Sequence, residues 1–345
     1  MYETVLVTGG CGYIGSHCCV LLIQNGYKVI IVDNLVNSNQ QTLSNIEKIT
    51  NVSPKFYSAD VSDKIAMDMI FRDNKIDVVM HLAGFKSVPE SKSDPLKYYD
   101  NNVRSIINLM KCMKSHKVTK MIFSSSASVY GNSEEIPIGE NCEIDLLNPY
   151  AATKFFSELI MKDCSEAYGI KCISLRYFNP VGSHESGLLE ENCKSPTANL
   201  FPIIVSIYCG HRDHLEIFGN DYDTKDGTCV RDYIYVGDLA SGHLKTLKYL
   251  DQDDSPKFEI FNLGTGTGYS VLEVVKKFEL YTGHELPYVF KDRRKGDPDV
   301  LIADTSKARS ILKFTPANYL DYMVLSSIQN IKTFENERIS LEDKK

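Results

Sequence analysis

Tyr150-Ala151-Ala152-Thr153-Lys154 is the only Tyr-x-x-x-Lys in the chain. A spacing of four sets the phenol and the ammonium on one face of a helix, and Pro149 immediately before them suits a helix start. A phenol ordinarily has a pKa near 10. Serving as a base near neutrality requires a fall of about three units, roughly 4 kcal/mol. One positive charge at about 4 Å, in surroundings of effective dielectric about 20, supplies that much. Ser124-Ser125-Ser126 ends an apolar run, Lys120–Ser125, that reads as a strand, and ligands bind at the carboxyl ends of parallel strands. From there Ser126 would hydrogen-bond the hydroxyl whose proton Tyr150 removes and share the transfer. Such pairs also decorate ordinary helices, so the neighbours carry much of the weight.

Gly9-Gly10-Cys11-Gly12-Tyr13-Ile14-Gly15 follows Thr4-Val5-Leu6-Val7, a strand pattern, and opens a segment of helical spacing. In that context Gly9, Gly12 and Gly15 let backbone N–H groups approach a pyrophosphate at a helix N-terminus. The spacing is G-x-x-G-x-x-G, where many dehydrogenases have G-x-G-x-x-G, and the chemistry is the same. Asp33 ends the second strand, near the offset of about 20 residues expected of a carboxylate that accepts from a ribose 2′-OH. A 2′-phosphate there would meet like charge, so the pattern favours NAD over NADP. The plainer role for Asp33 is to cap its turn with Asn34. Asp60, after the third strand, suits the adenine amino group.

The elements that must hold these residues alternate. Strands are expected at Val29–Val32, Lys55–Ser58, Asp77–Leu82, Lys120–Ser125 and Lys171–Arg176, with helices between them and a long one from Tyr150 to about Tyr168. Apolar runs without alternation indicate strands covered on both faces, and right-handed crossovers then lead to a doubly wound parallel sheet. The fold class is α/β, a Rossmann-type domain with a smaller mixed α/β domain. The first is expected over residues 1–178, rejoined by about 231–264 through strands at Arg231–Val236 and Phe258–Leu263. The second is expected over 179–230 and 265–334, where loops are rich in Gly, Asn, Pro and acidic residues, and 335–345 reads as a charged tail. A chain of 345 residues with 43% hydrophobic and 24% charged residues has ample core. Its net charge of −7 argues against a nucleic-acid partner. No segment approaches the roughly 20 apolar residues that span a bilayer. Met1-Tyr2-Glu3 lacks a basic leader region, so no signal peptide is expected. Ten cysteines without a C-x-x-C pair read as reduced thiols of a cytoplasmic protein and not as metal ligands. His81 and Cys18 read as packing residues.

With these residues in view, the chain resembles the extended short-chain dehydrogenases/reductases, and among them the UDP-sugar 4-epimerases. The resemblance runs from Thr4 to about Ala308. It is carried by Thr8–His17, His81–Val88, Tyr98–Val103, Phe123–Gly131, Arg176–Gly182, Ile217–Tyr222 and Val230–Ile234, in that order. It implies oxidation of a UDP-hexose at C4, with hydride passing to NAD, rotation of the 4-keto sugar, and return of the hydride to the opposite face. Tyr150 would be the base, Ser126 the proton relay and Lys154 the tuning charge. The resemblance further implies cofactor contacts from Tyr13, Ile14, Asn34, Asn37, Ser38, Val61, Leu82, Ala83 and Gly84. Lys86, Asn101 and Phe178 are implied on the nicotinamide side. Substrate ligands implied besides Lys86, Ser126 and Tyr150 are Ser128, Tyr177, Asn179, Asn199, Leu200, Phe218, Arg231, Arg294, Asp297 and Leu301. The guanidinium forks of Arg231 and Arg294 suit a diphosphate, whereas Arg293 reads as an ordinary ion-pair residue. A homodimer through a helix pair is implied, and the apolar stripes Leu109–Met113 and Phe155–Met161 read as core or as that face.

Some positions depart from the family pattern. Ala151 stands where Gly is common, and Ser128 replaces Thr but keeps a hydroxyl. Leu301 occupies a gate where a bulky aromatic excludes N-acetylated sugars and a small residue admits them, so glucose and galactose are expected substrates and N-acetylhexosamines stay open. A 4,6-dehydratase needs carboxylates just after the serine, and Ala127 and Ser128 stand there. A UDP-sugar oxidase needs a thiol nucleophile beside the sugar, which no cysteine is marked to be. A catalytically silent NAD-binding module would not need an intact Ser126, Tyr150 and Lys154.

Overall fold

Val5 and Val7 face one side of the first strand and Leu6 the other, and all three are fully buried. This two-sided burial repeats along the sheet and is what a parallel sheet between two helical layers requires. The protein is described by a computed structural model covering residues 3–191, 199–252, 255–294, 296–317 and 319–329. The charged tail 335–345 and Cys193 lie outside the described residues.

The sheet strands are β1 Thr4–Thr8, β2 Lys28–Asp33, β3 Lys55–Ser58, β4 Val78–His81, β5 Lys120–Ser126 and β6 Lys171–Tyr177. Three more follow: β7 Asn179–Val181, β8 Leu215–Phe218 and β9 Val230–Tyr235. The last four strands are β10 Phe258–Leu263, β11 Gly268–Ser270, β12 Tyr288–Lys291 and β13 Val300–Leu301. Seven form one parallel sheet in the order β10-β6-β5-β4-β1-β2-β3. The order reverses between β1 and β4, which opens a crevice above their carboxyl ends. The expected strands and the long helix, Pro149–Tyr168, are present to within about two residues.

One expectation is corrected in part. Phe258–Leu263 joins the large sheet beside β6, in register from Phe258 opposite Cys172 to Leu263 opposite Tyr177. The other apolar run does not join it. β9 is the centre of a second sheet, flanked by β11 and β13 and paired also with β7. Both runs have the composition of buried strands, so composition cannot say which sheet each enters. Buried Asp232 on β9 binds it to its neighbours by accepting from Thr265, Gly266 and Ala303 backbone N–H groups. The helix that follows, Val236–Leu250, packs on the Tyr13–Gln24 helix beneath the large sheet.

Three histidines are locked neutral in this core. His81 Nδ1 is 2.7 Å from Thr8 Oγ1, His17 Nδ1 is 2.8 Å from Tyr13 O, and His243 Nε2 is 2.5 Å from Tyr177 Oη. Burial pulls their pKa values to about 3, 4 and 4, with Lys154 adding to the shift at His81. The unfolded chain binds more protons than the folded one between these values and the ordinary 6.5. Stability therefore rises with pH through that window and is lost as pH falls through it. Acid titration of the unfolding free energy should give a slope approaching about 4 kcal/mol per pH unit near pH 5, for three protons. Replacing His243 by Gln should remove about a third of that slope.

Candidate active site

The Pro149–Tyr168 helix begins where it does because the Asn148 side chain accepts from the Ala151 N–H at 2.9 Å and proline fills the first turn. This start lays Tyr150 and Lys154 over the carboxyl end of β5. Lys154 Nζ donates to the Ser124 carbonyl at 2.6 Å and lies 5.0 Å from the centre of the Phe123 ring and 5.8 Å from that of Tyr150. Ser126 hydrogen-bonds the Tyr150 phenol. Its hydroxyl also donates to Ser128 Oγ at 2.9 Å and accepts from the Ser128 N–H at 3.2 Å. The three reactive residues and Ser128 are thus one cluster. Burial raises the phenol of Tyr150 above its ordinary value, and its hydrogen bond with Ser126 recovers only part of the shift. Burial likewise lowers Lys154 to about 8, with Glu158 opposing. Desolvation therefore governs the phenol, and the offsetting pull of a neighbouring charge that the spacing promised is not among its causes: with the protein's own groups alone the phenol stays protonated.

The glycine loop forms a cradle beside this cluster. Gly9 has φ +72°, and a Cβ there would stand 2.7 Å from Ala83 N; a Cβ on Gly15 would stand 2.1 Å from Gly9 O. Gly12 caps the Tyr13–Gln24 helix with no side-chain bond, so the first-turn N–H groups face the crevice uncapped. Asp33 is buried and accepts from Cys11 N, Leu35 N and Ser38 Oγ at 3.0, 3.0 and 2.8 Å. It therefore caps its turn and also lines the cleft. About 610 Å³ of space open to solvent is bounded by Gly9, Gly12, Asp33, Asn34, Asn37, Ser38, Asp60, Val61, Leu82, Ala83, Gly84 and Asn101. Despite burial, hydrogen bonds from Ser62 and Asn34 hold Asp60 below the usual carboxylate range. A bare helix end, a carboxylate and glycines that exclude side chains fit a dinucleotide. Tyr13 turns elsewhere, its hydroxyl donating to Gly182 O at 2.6 Å, and Ile14 packs beneath the loop.

The opposite wall comes from the later strands. Asn179 opens β7, Leu200 begins the Leu200–Tyr208 helix, and Asn199 is its cap residue. Arg294 stacks on Phe218 with the guanidinium carbon 3.9 Å from the ring centre. Arg231 donates to Asp297 at 2.5 Å, joining two of the implied substrate ligands, and Leu301 pairs in register with Arg231 while packing in the cluster that holds Phe178. Arg293 behaves as an ordinary ion-pair residue, bonded to Asp221 and 3.6 Å from Asp299. Tyr177 is buried, with its hydroxyl bonded to His243. Lys86 Nζ reaches Glu191 Oε1 at 2.5 Å, and Asn199 Nδ2 reaches the same oxygen at 3.1 Å. Glu191, which joins the two walls, is a residue that the sequence pattern did not single out.

Asn102 is another. Its amide accepts from Phe85 N at 2.9 Å and donates to Phe85 O and Thr153 Oγ1 at 3.1 Å each, tying the Gly84–Lys86 loop to the catalytic helix. The presentation depends on a π-helical turn at Tyr99–Val103, a rare form that gathers at functional sites. Only the Tyr98–Val103 motif hinted at it.

A parallel sheet with a glycine cradle at its switch point and a Ser–Tyr–Lys cluster one strand away defines a dinucleotide-dependent enzyme of the short-chain dehydrogenase/reductase class. Residues 6–326 match the family model described as GDP-mannose 4,6 dehydratase. The chain is 46% identical over 324 residues to a UDP-glucose 4-epimerase of Bacillus subtilis, covering 94% of this chain and 95% of that protein. A UDP-glucose-4-epimerase from Stenotrophomonas maltophila, crystallised with NAD and formylated UDP-arabinopyranose, superposes with TM-score 0.93 at 40% identity over 97% of this chain and 100% of its own. The Bifidobacterium longum enzyme, in complex with NAD+ and UDP, gives 0.92 at 46% identity over 97% and 99%. The chain belongs to the UDP-glucose 4-epimerase family of extended short-chain dehydrogenases/reductases.

Burying Lys154 has a measurable cost. Its folded pKa of about 8 lies below the ordinary 10.5, so the unfolded chain binds more protons between those values. Stability rises with pH across that window, and the penalty is fully present below about 8. Lys154→Met should therefore stabilise the cofactor-free protein at pH 7 by about 1–3 kcal/mol. The advantage should fade toward pH 10; urea melts at the two pH values check both.

Proposed function

We propose that the protein interconverts UDP-glucose and UDP-galactose through a 4-keto-hexose, with Tyr150 as base, Ser126 relaying the proton and Lys154 supplying positive charge. The observation that carries this reading is the meeting of those three side chains at the end of β5, beside the dinucleotide cradle. NAD, held by the glycine loop, Asp33 and Asp60 with Lys86, Asn101 and Phe178 toward its nicotinamide, supplies when bound the hydride acceptor at C4 and a positive ring near the phenol. Tyr150 would take the 4-hydroxyl proton through Ser126 and later give it back to the C4 oxygen, as the hydride returns to C4 from the opposite face of the sugar. Arg231 and Arg294 hold the diphosphate, with Asn179, Asn199, Leu200, Phe218 and Asp297 around the nucleotide. Anchoring at the diphosphate leaves the hexose few fixed contacts, and so free to turn.

A matching model named for a dehydratase does not imply elimination here. The residues after Ser126 are buried Ala127 and the hydroxyl residue Ser128, so no carboxylate stands where a 4,6-dehydratase needs its acid. Free thiols at every described cysteine support a cytoplasmic enzyme. Among the described residues no helix is long and apolar enough to cross a membrane. For the homodimer, Leu109–Met113 drops out as a face, because Leu109, Met110, Cys112 and Met113 are buried in the core. Phe156 and Leu159 of the neighbouring helix stay exposed, beside a groove that includes Leu96 and Arg104. We assign the dimer face there. The residues 179–230 and 265–334 supply the UDP-sugar side, with β9 also on that side.

Incubation with UDP-galactose should yield UDP-glucose with no NADH accumulating, and parallel assays with UDP-N-acetylgalactosamine read the Leu301 gate. A near-zero rate on UDP-glucose beside a high one on the N-acetyl sugar would overturn the substrate assignment. Tyr150→Phe should lower turnover by about 10²–10⁴-fold with cofactor still bound; unchanged turnover would remove Tyr150 as base. Phe156→Glu should shift the sedimenting species from dimer to monomer.

A further inference from the structure

Glu158 lies one helical turn beyond Lys154 and is fully enclosed, at 2% exposure. Its carboxylate accepts four hydrogen bonds. Ser125 Oγ and Ser174 Oγ donate to Oε1 at 2.6 and 2.8 Å, Arg176 Nε donates to Oε1 at 3.1 Å, and Arg176 Nη2 donates to Oε2 at 2.7 Å. Arg176 is equally buried, with its guanidinium carbon 4.8 Å from the Tyr130 ring centre. A buried ion pair of this kind often contributes no more stability than apolar side chains of the same volume. Its position in the site is more informative. Ser125 lies between Ser124, whose carbonyl receives the Lys154 ammonium, and Ser126, which holds the phenol. One carboxylate therefore grips the strand residue whose two neighbours hold both reactive groups.

We infer that Glu158, fixed by Arg176, is a positioning residue for the reaction: it pins Ser125 and gives Lys154 the negative charge it faces in the core. The inference rests on the proposed roles of Lys154 and Tyr150. The ionisable groups around Lys154 are few. Tyr150 and Glu158 share its helix. His81 on β4 is neutral and itself senses the lysine, and Tyr177 on β6 is driven up by burial. Asp100 and Arg104 of the neighbouring segment pair with each other at the surface. Glu158 is thus the one anion of this set close enough to oppose the lowering of Lys154 by burial. Without it the ammonium loses its proton at lower pH, and the phenol loses its cationic neighbour.

The test is the pH dependence of turnover of UDP-galactose by the cofactor-loaded Glu158→Gln enzyme. The alkaline limb should move down by about one pH unit or more, so that kcat near pH 9 falls about tenfold relative to the parent while kcat near pH 7 changes little. KM and bound cofactor should be unchanged. If that variant does not fold, Glu158→Gln combined with Arg176→Met leaves no unpaired buried charge and should shift the limb in the same direction. A profile that superimposes on the parent's, with only a lower melting temperature, would make Glu158 a purely structural residue and overturn the inference. Lys154→Met separates the two levels. If it keeps full turnover, the proposed role of Lys154 falls and this inference with it. If it loses turnover while the Glu158→Gln profile is unmoved, only this inference falls.

Discussion

The removal of one ammonium group from water governs the architecture on the β5–β6–β10 side of the sheet. A charge held in a dry interior is tolerated only when hydrogen bonds and an opposite charge surround it. Here the Ser124 carbonyl provides the first and Glu158 the second. Each demand propagates outward. The carbonyl must point out of the end of β5, and the helix must be capped at Asn148 so that its first turns overlie that end. The carboxylate must be matched by Arg176 and Ser174 from β6. Tyr130, against which Arg176 lies, is in turn held by Asn262 of β10 at 2.7 Å. Three adjacent strands and a helix are thus linked side chain to side chain around a single lysine.

The β1–β2 side obeys a different constraint, the need to bring backbone close to a large anion. Gly9, between β1 and the helix it feeds, and Gly15, in the first turn of that helix, leave no room for a Cβ, and Asp33 on β2 holds the same loop through the Cys11 N–H. The halves meet at the strand-order reversal. Asn102 joins them, since its one amide binds both the loop after β4 and the helix that carries Tyr150. An electrostatic half and a backbone half, each rigid for its own reason, set the distance between cofactor cradle and base.

Much of this was legible in the residues alone, because the controlling features are local. Unbroken apolar runs reveal strands covered on both faces, glycine spacing reveals a loop that must approach an anion, and a tyrosine four residues before a lysine reveals a shared helical face. What stayed hidden is what arises between distant segments. The run at 231–236 enters the second sheet because of Asp232 and its partners at 265, 266 and 303, and nothing in its own composition says so. Glu191, Asn102 and the Glu158–Arg176 pair act through partners 8 to 105 positions away. The protonated state of the Tyr150 phenol was hidden for a related reason. Spacing gives the distance to a neighbouring charge, whereas the cost of drying out the phenol depends on everything packed around it.

The placement of β10 has a consequence for how the chain comes into being. This strand closes the flank of the large sheet, yet it lies some eighty residues after the strand it pairs with, beyond the whole β7–β9 excursion. Until residue 263 has left the ribosome, β6 must wait with a bare edge of backbone donors and acceptors, the kind of surface that recruits other chains. A nascent or truncated polypeptide ending before Phe258 would carry nearly all the catalytic residues and still be a hazard to itself. Shielding by chaperones during synthesis is thus a natural demand of this topology.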